Sequence, residues 1–362
     1  MALKCGIIGL ANSGKTTLFN CVANTKNHDQ SGGQKSHMGQ INVPDSRLYV
    51  LNTLLPAQRV VHATVDLVDI PGLTKGSGQA ESTSSKFLAE IQQTDALIHV
   101  IRCFDSDTVP HIEGSVNPVR DREIVDLELC IRDLSMVERK IQRTDKLIKL
   151  GDKEAKKVMD VLHIYKAHLE DFKPARTAPV HEDDCRHIAD MFLITDKPVI
   201  YVCNVDDASA AAGNTYSQAL IESVKAENAE VLVIAAELEA EIAELESQED
   251  RDIFLADAGL TEPGVNKVVQ SAYKLLNLMS FFTIGVKENR AWTIHKGMTA
   301  PQAAGVIHSD LERGFIRAEV IKYNDFVALK TEHACKENGK LAIEGKNYVV
   351  CDGDLLNIRF NV

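Results

Sequence analysis

Apolar residues fall into three textures along the chain. Up to residue 277, short and nearly continuous hydrophobic runs recur at 3–8, 63–70, 96–104, 198–204 and 231–236. Runs of this kind suit parallel strands covered on both faces. Helical spacing separates them, beginning with the stretch Thr17, Leu18, Phe19, Asn20, Cys21, Val22. The prediction is a doubly wound, mostly parallel α/β sheet.

The second texture is inserted between the runs at 96–104 and 198–204. Leu127, Ile131, Leu134, Ile141 and Ile148 recur at helical spacing, as do Val158, Leu162, Tyr165 and Leu169, with Gly151-Asp152 as a break. This predicts a helical hairpin, an antiparallel coiled coil whose stripes form its own core. Residues 237–252 are strongly acidic and predict one exposed helix, and a further helix runs through 275–278.

From Phe281 onward the pattern becomes alternating, with strands predicted at 283–286, 291–294, 318–321 and 355–360. Turns such as Cys351-Asp352-Gly353-Asp354 separate them, which predicts a small α+β domain. The organisation expected is a discontinuous α/β domain at 1–122 and 190–277, a coiled-coil insertion at 123–189, and a C-terminal domain at 278–362.

Composition changes this picture in only a few places. With 362 residues, 44% hydrophobic and 25% charged, the chain reads as an ordinary soluble protein of two or three domains. No apolar run is long enough to span a bilayer. Asn12, Ser13 and Lys15 interrupt the first run, so a signal peptide is not expected and a cytoplasmic location is. Eight scattered cysteines without paired spacing are expected to be reduced and buried. The group His181, Glu182, Asp183, Asp184, Cys185, His187 lacks a regular ligand spacing and reads as a solvated loop. The net charge of −12 argues against indiscriminate nucleic-acid binding, and neither DNA nor membrane is an expected partner. The charge is uneven, with a net of +1 over 278–362 and −13 over the rest. Residues 138–157 hold eight basic and four acidic side chains. A basic arm on an acidic body suits an RNA backbone, and equally suits a hairpin that keeps itself in solution.

The chemistry is concentrated near the N-terminus. Residues 9–16 read Gly-Leu-Ala-Asn-Ser-Gly-Lys-Thr, a complete G-x-x-x-x-G-K-[ST] phosphate loop between a strand and a helix. Gly9 and Gly14 allow successive N–H groups to turn toward phosphate oxygens, and the helix opening at Lys15 adds its dipole. Lys15 supplies a point charge between the outer phosphates, and the Thr16 hydroxyl can ligate Mg2+. Asp69-Ile70-Pro71-Gly72 ends the next strand as D-x-x-G, with Asp69 holding Mg2+ through water and the Gly72 N–H meeting the terminal phosphate. Leu73 follows where Ras-like enzymes place a water-orienting Gln. A leucine cannot hydrogen-bond, so hydrolysis is organised by another group or is slow. Asn204-Val205-Asp206-Asp207 stands in place of the base-reading N-K-x-D, without its Lys. Ala235-Ala236-Glu237 replaces Ser-Ala-Lys and offers backbone and methyl groups around the base.

Together with these motifs, several longer segments point to one family. They are 1–20, 43–48 (Val-Pro-Asp-Ser-Arg-Leu), 86–91 (Lys-Phe-Leu-Ala-Glu-Ile), 99–104 (His-Val-Ile-Arg-Cys-Phe), 290–294 (Arg-Ala-Trp-Thr-Ile), 300–308 and 312–320. On these the chain resembles, nearly end to end, the YchF family, the Obg-like ATPase branch of the translation-factor-related P-loop hydrolases. The resemblance implies a P-loop NTPase domain, a coiled-coil insertion and a C-terminal TGS domain. It implies a hydrolase that prefers ATP to GTP, uses Mg2+ and associates with ribosomes or ribosomal RNA.

Carried over, Asn12, Ser13, Gly14, Lys15, Thr16 and Thr17 bind phosphates, Thr16 ligates Mg2+, and Asn204, Val205 and Ala236 lie at the base. His111 matches a family histidine implicated in hydrolysis and substitutes for the absent Gln, since imidazole can orient a water. Two departures stand out. The first-switch segment 27–39 has no alignable Thr, leaving Ser31 or Ser36, and Asp207 replaces the family's Glu. Aspartate is what G proteins use to read guanine. A GTPase of the same fold is therefore one alternative, and a nucleotide-dependent binding module with little turnover is another. Ribosome association is expected to be salt-sensitive, through the coiled coil and the C-terminal domain, where Arg313 and Arg317 are either contact or structural residues.

Overall fold

A computed structural model describes residues 3–23, 37–70 and 88–361. Gly72, Leu73, Ser31, Ser36 and the start of the 86–91 segment lie outside the described residues. Two compact units are present. The described residues of 1–39 and 66–268 form one, and those of 40–65 and 269–362 form the other.

Strands β1 (Lys4–Ile8), β2 (His37–Asn42), β3 (Arg59–Val61), β4 (Thr64–Asp69), β5 (Ala96–Arg102), β6 (Val199–Asn204) and β7 (Glu230–Ile234) come first along the chain. One sheet has the order β2-β4-β1-β5-β6-β7, and its pairs from β4 to β7 are parallel. All the predicted runs are strands, within two residues of their expected ends. Every residue of β5 and β6 is buried, which is why their sequences show no alternation. From β1 the chain steps to β4 on one side and to β5 on the other. The order therefore reverses at β1, and the crevice beyond its carboxyl end is where such sheets bind ligands.

The hairpin is present as helices Pro118–Lys149 and Lys153–Glu170. Asn117 caps the first, Asp152 caps the second, and Gly151 at φ +90 makes the reversal. Lys166 pairs with Glu138 across the hairpin at 3.1 Å. The second stripe is buried as predicted at Leu162, Tyr165 and Leu169, and Leu134 and Ile141 of the first pack partly buried on the same core, but the rest of the first stripe is displaced. Leu127 and Ile131 are exposed, and the buried line is Val125, Leu129, Asp133 and Val137. A carboxylate hides this line from a hydrophobic pattern. Asp133 is fully buried because it accepts hydrogen bonds from the N–H groups of Ile194 and Thr195 and from the Thr195 hydroxyl.

The acidic stretch is also corrected. It forms two helices, Ala236–Glu244 and Gln248–Asp257, rather than one. The first is not simply exposed, because Leu238, Glu239 and Ile242 are buried. Glu239 accepts from the Gly264 N–H at 2.5 Å and so caps the helix Gly264–Leu275.

The second unit contains β8 (Leu278–Thr283), β9 (Glu288–His295), β10 (Phe315–Lys322), β11 (Leu341–Glu344) and β12 (Asp354–Phe360). Its sheet runs β11-β10-β12-β8-β9-β3. The strand expected at 283–286 lies earlier because Asn277, at φ +53, ends the preceding helix and releases Leu278 directly into β8. Residues 40–65, predicted within the nucleotide-binding domain, cluster here instead. Strand β3 pairs in parallel with β9, with Arg59 opposite Glu288, and Asn289 Nδ2 donates to Leu55 O at 2.7 Å. Arg313 is paired with Asp310, and Arg317 lies 3.8 Å from Glu319.

All eight cysteines are free, and five are buried. Cys351 departs from expectation, standing exposed at its turn. Among the described residues no group of His, Cys, Asp and Glu could hold a metal by itself, and no helix is long and apolar enough to cross a membrane.

Candidate nucleotide-binding site

The phosphate loop leaves β1 and enters the helix Lys15–Ala23 at the residue predicted to open it. Gly14 has φ +92, and a side chain there would collide with the Asn204 amide. Glycine is required on both counts. Asn12 also takes the left-handed conformation, at φ +61, and its Nδ2 donates to Pro110 O at 3.1 Å.

Lys15 is buried, and its ammonium donates to Leu10 O at 2.6 Å. Burial lowers its pKa to about 8, against the opposing pull of Asp69. Phosphate oxygens beside it will raise that pKa again, so binding takes up a proton once the pH exceeds about 8. Triphosphate affinity should therefore be level below pH 8 and fall above it, approaching about tenfold per pH unit. Titrations from pH 7 to 9.5 check this, and a flat profile would contradict it.

The Thr16 hydroxyl donates to Asp69 Oδ2 at 2.9 Å. The other carboxylate oxygen, Oδ1, is buried with no partner among the described residues. Burial raises the Asp69 pKa, while Thr16, Lys15 and His37 oppose the shift. A hydroxyl beside a carboxylate with an unused buried oxygen is a hard-oxygen donor set that fits Mg2+, whose remaining ligands are water and phosphate.

Asn204 has a role that motif matching misses. Its Nδ2 donates to Ser13 O at 3.0 Å, and its Oδ1 accepts from Ala236 N at 3.0 Å. It clamps the phosphate loop to the start of the helix Ala236–Glu244. The Ala236 N–H is consequently spent on Asn204 rather than presented to a base. Asp206 caps Ser209 N at 3.0 Å, and Asp207 is exposed at the rim.

A cleft of about 510 Å³ opens above the loop, lined by Asn12, Thr17, Phe104, Val205, Asp207 and Ala240 among others. That volume suits a nucleotide. Phe104 was not singled out by the sequence reading. The Arg102 guanidinium lies 4.5 Å from its ring centroid, and Arg102 Nε donates to Phe104 O at 3.0 Å. The ring is thus stiffened as an aromatic wall. Its only sequence signal was a phenylalanine at the end of a buried strand.

His111 does not line this cleft. Its side chain is 7% exposed, and its Nε2 lies 2.8 Å from Asp121 Oδ2. Its Nδ1 accepts from Glu113 N at 3.0 Å, so Nε2 carries the proton and donates to the carboxylate.

The chain is similar to known proteins along its whole length. Residues 4–205 match the family model described as "50S ribosome-binding GTPase". Residues 278–361 match YchF-GTPase_C, described as "Protein of unknown function (DUF933)". The chain is 44% identical to the ribosome-binding ATPase YchF of Haemophilus ducreyi and 41% identical to that of Bacillus subtilis, over all of both chains in each case. The structure of the Schizosaccharomyces pombe YchF GTPase superposes with a TM-score of 0.87 at 30% identity, over 99% of this chain and 97% of that one.

Proposed function

The chain belongs to the YchF family, and from that premise we propose that it is a cytoplasmic, ribosome-associating ATPase whose phosphate loop and switch segments report nucleotide state. The observation that carries this reading is the assembled loop, with Lys15 buried against it and Thr16 on Asp69 beneath a nucleotide-sized cleft. Main-chain amides of residues 12–17 grip the phosphates, and Lys15 sits between the outer two. Thr16 and Asp69 would hold the metal, and the Gly72 N–H is assigned to the terminal phosphate from the D-x-x-G pattern. Magnesium, when bound, neutralises charge on the phosphate oxygens.

With Leu73 unable to orient water, His111 supplies the missing hydrogen-bonding group. Phe104 stacks on the purine, with Val205 beside it and Asp207 at the rim. The names of similar proteins divide between ATPase and GTPase, and aspartate at 207 keeps GTP as the alternative substrate.

The functional segments are a nucleotide-binding part at 1–39, 66–122 and 190–268, the hairpin at 123–189, and 278–362. The last is read as a TGS domain, and it and the basic hairpin are the ribosome-facing parts. ATP and GTP titrated side by side, with and without ribosomes, test the assignment. ATP should bind more tightly and turn over faster, and ribosome association should weaken as salt rises. Tighter GTP binding would reverse the substrate assignment, and salt-independent association would remove the electrostatic contact.

A further inference from the structure

His111 is held in a way that prevents it from acting on the nucleotide as it stands. Both ring nitrogens are engaged, Nε2 by Asp121 and Nδ1 by the Glu113 N–H. The side chain is almost entirely buried and does not line the open cleft. It borders instead a cavity of about 10 Å³ behind the phosphate loop, shared with Ser13, His99, Arg102 and Asp121. The cavity has room for about one water. The Ser13 hydroxyl and Arg102 Nη1 are both buried with no partner among the described residues.

Asp121 is built to hold its position. Its Oδ1 accepts from Arg120 Nε at 3.0 Å and Nη2 at 2.7 Å, leaving Oδ2 for His111. Arg120 is itself anchored to Ser115 O at 2.5 Å. The carboxylate lies in the first turn of Pro118–Lys149, where a helix dipole favours negative charge.

We propose that Asp121 is a positioning residue that latches His111 in a parked conformation, and that turnover requires this hydrogen bond to open. The proposal rests on the role given above to His111. Two elements reach the latch. Asn12 of the phosphate loop holds Pro110 O, one residue before His111. The helix that carries Asp121 extends for 32 residues into the hairpin, and the adjacent Arg122 reaches Glu227 at 3.3 Å. Glu227 also accepts from Arg176 at 2.8 Å and from the Tyr201 hydroxyl at 2.9 Å. A small tilt of that helix moves Asp121 and bears directly on the histidine. Gly114, at φ +77 with nothing packed where a Cβ would be, lets the intervening loop turn.

The test compares wild type, Asp121→Ala, His111→Ala and the double variant as full-length proteins. Steady-state ATP turnover is measured with Mg2+, and affinity with a fluorescent ATP analogue. A charge-assisted buried hydrogen bond restrains the parked state, so Asp121→Ala should raise kcat by about tenfold with affinity unchanged. In the double variant kcat should fall back to the level of His111→Ala. Should Asp121→Ala fail to fold, Asp121→Asn keeps the volume and the Arg120 contact while replacing the acceptor that faces His111 with an NH2 donor, and a smaller rise in kcat is then expected. A folded Asp121 variant with unchanged or lower kcat, alongside a slowed His111→Ala, overturns the latch and leaves His111 catalytic. Wild-type turnover in His111→Ala overturns the role of His111, and the latch with it.

Discussion

Lys15→Ala should reduce triphosphate affinity by about two to three orders of magnitude, the largest single effect expected of this chain. The ammonium is already inside the loop, donating to Leu10 O at 2.6 Å with its partial desolvation cost met on folding. On binding it exchanges one carbonyl for phosphate oxygens in a site shielded from water, where a charge pair is worth several times its surface value. Folding should survive, because removing a buried cation whose pKa burial has lowered takes away a destabilising group. Equilibrium titration with ATP and Mg2+, paired with thermal unfolding, checks both halves. Tight binding by a folded Lys15→Ala protein would overturn the assignment of the loop.

Asn204→Ala should lower both stability and affinity. Its amide joins Ser13 O to Ala236 N inside a buried site, and truncation leaves a carbonyl and an N–H without partners. Stranding two buried polar groups costs about 2–4 kcal/mol. It also opens space beside Gly14, whose φ of +92 is held partly by the amide packed on it. Affinity should therefore drop for ATP and GTP alike, by about tenfold or more, because the loop rather than the base contact is loosened. Chemical denaturation and paired nucleotide titrations measure the two effects. A loss confined to one nucleotide would show that Asn204 reads the base directly.

The parallel sheet was legible from its apolar runs, since strands buried on both faces carry their environment in every residue. The phosphate loop was legible because tight backbone turning forces glycine at 9 and 14, and charge and ligation fix the types at 15 and 16. The hairpin was legible as a hairpin, but its buried line was not. Asp133 sits in that line on hydrogen bonds from residues 61 and 62 positions away, which no local periodicity registers. The same limit hid the membership of 40–65 in the second unit, because a three-residue edge strand acquires its identity from the partner β9.

Local order in the chain was enough to specify a strand, a glycine-rich turn and a helix, because each depends on contacts between near neighbours. Where Asn204 spends its amide and whether His111 lines the cleft depend on groups brought together from other parts of the chain. Residue types state what a side chain is able to bond. Folding selects the partner it meets, since a buried donor must be satisfied by whatever the packed chain places within reach.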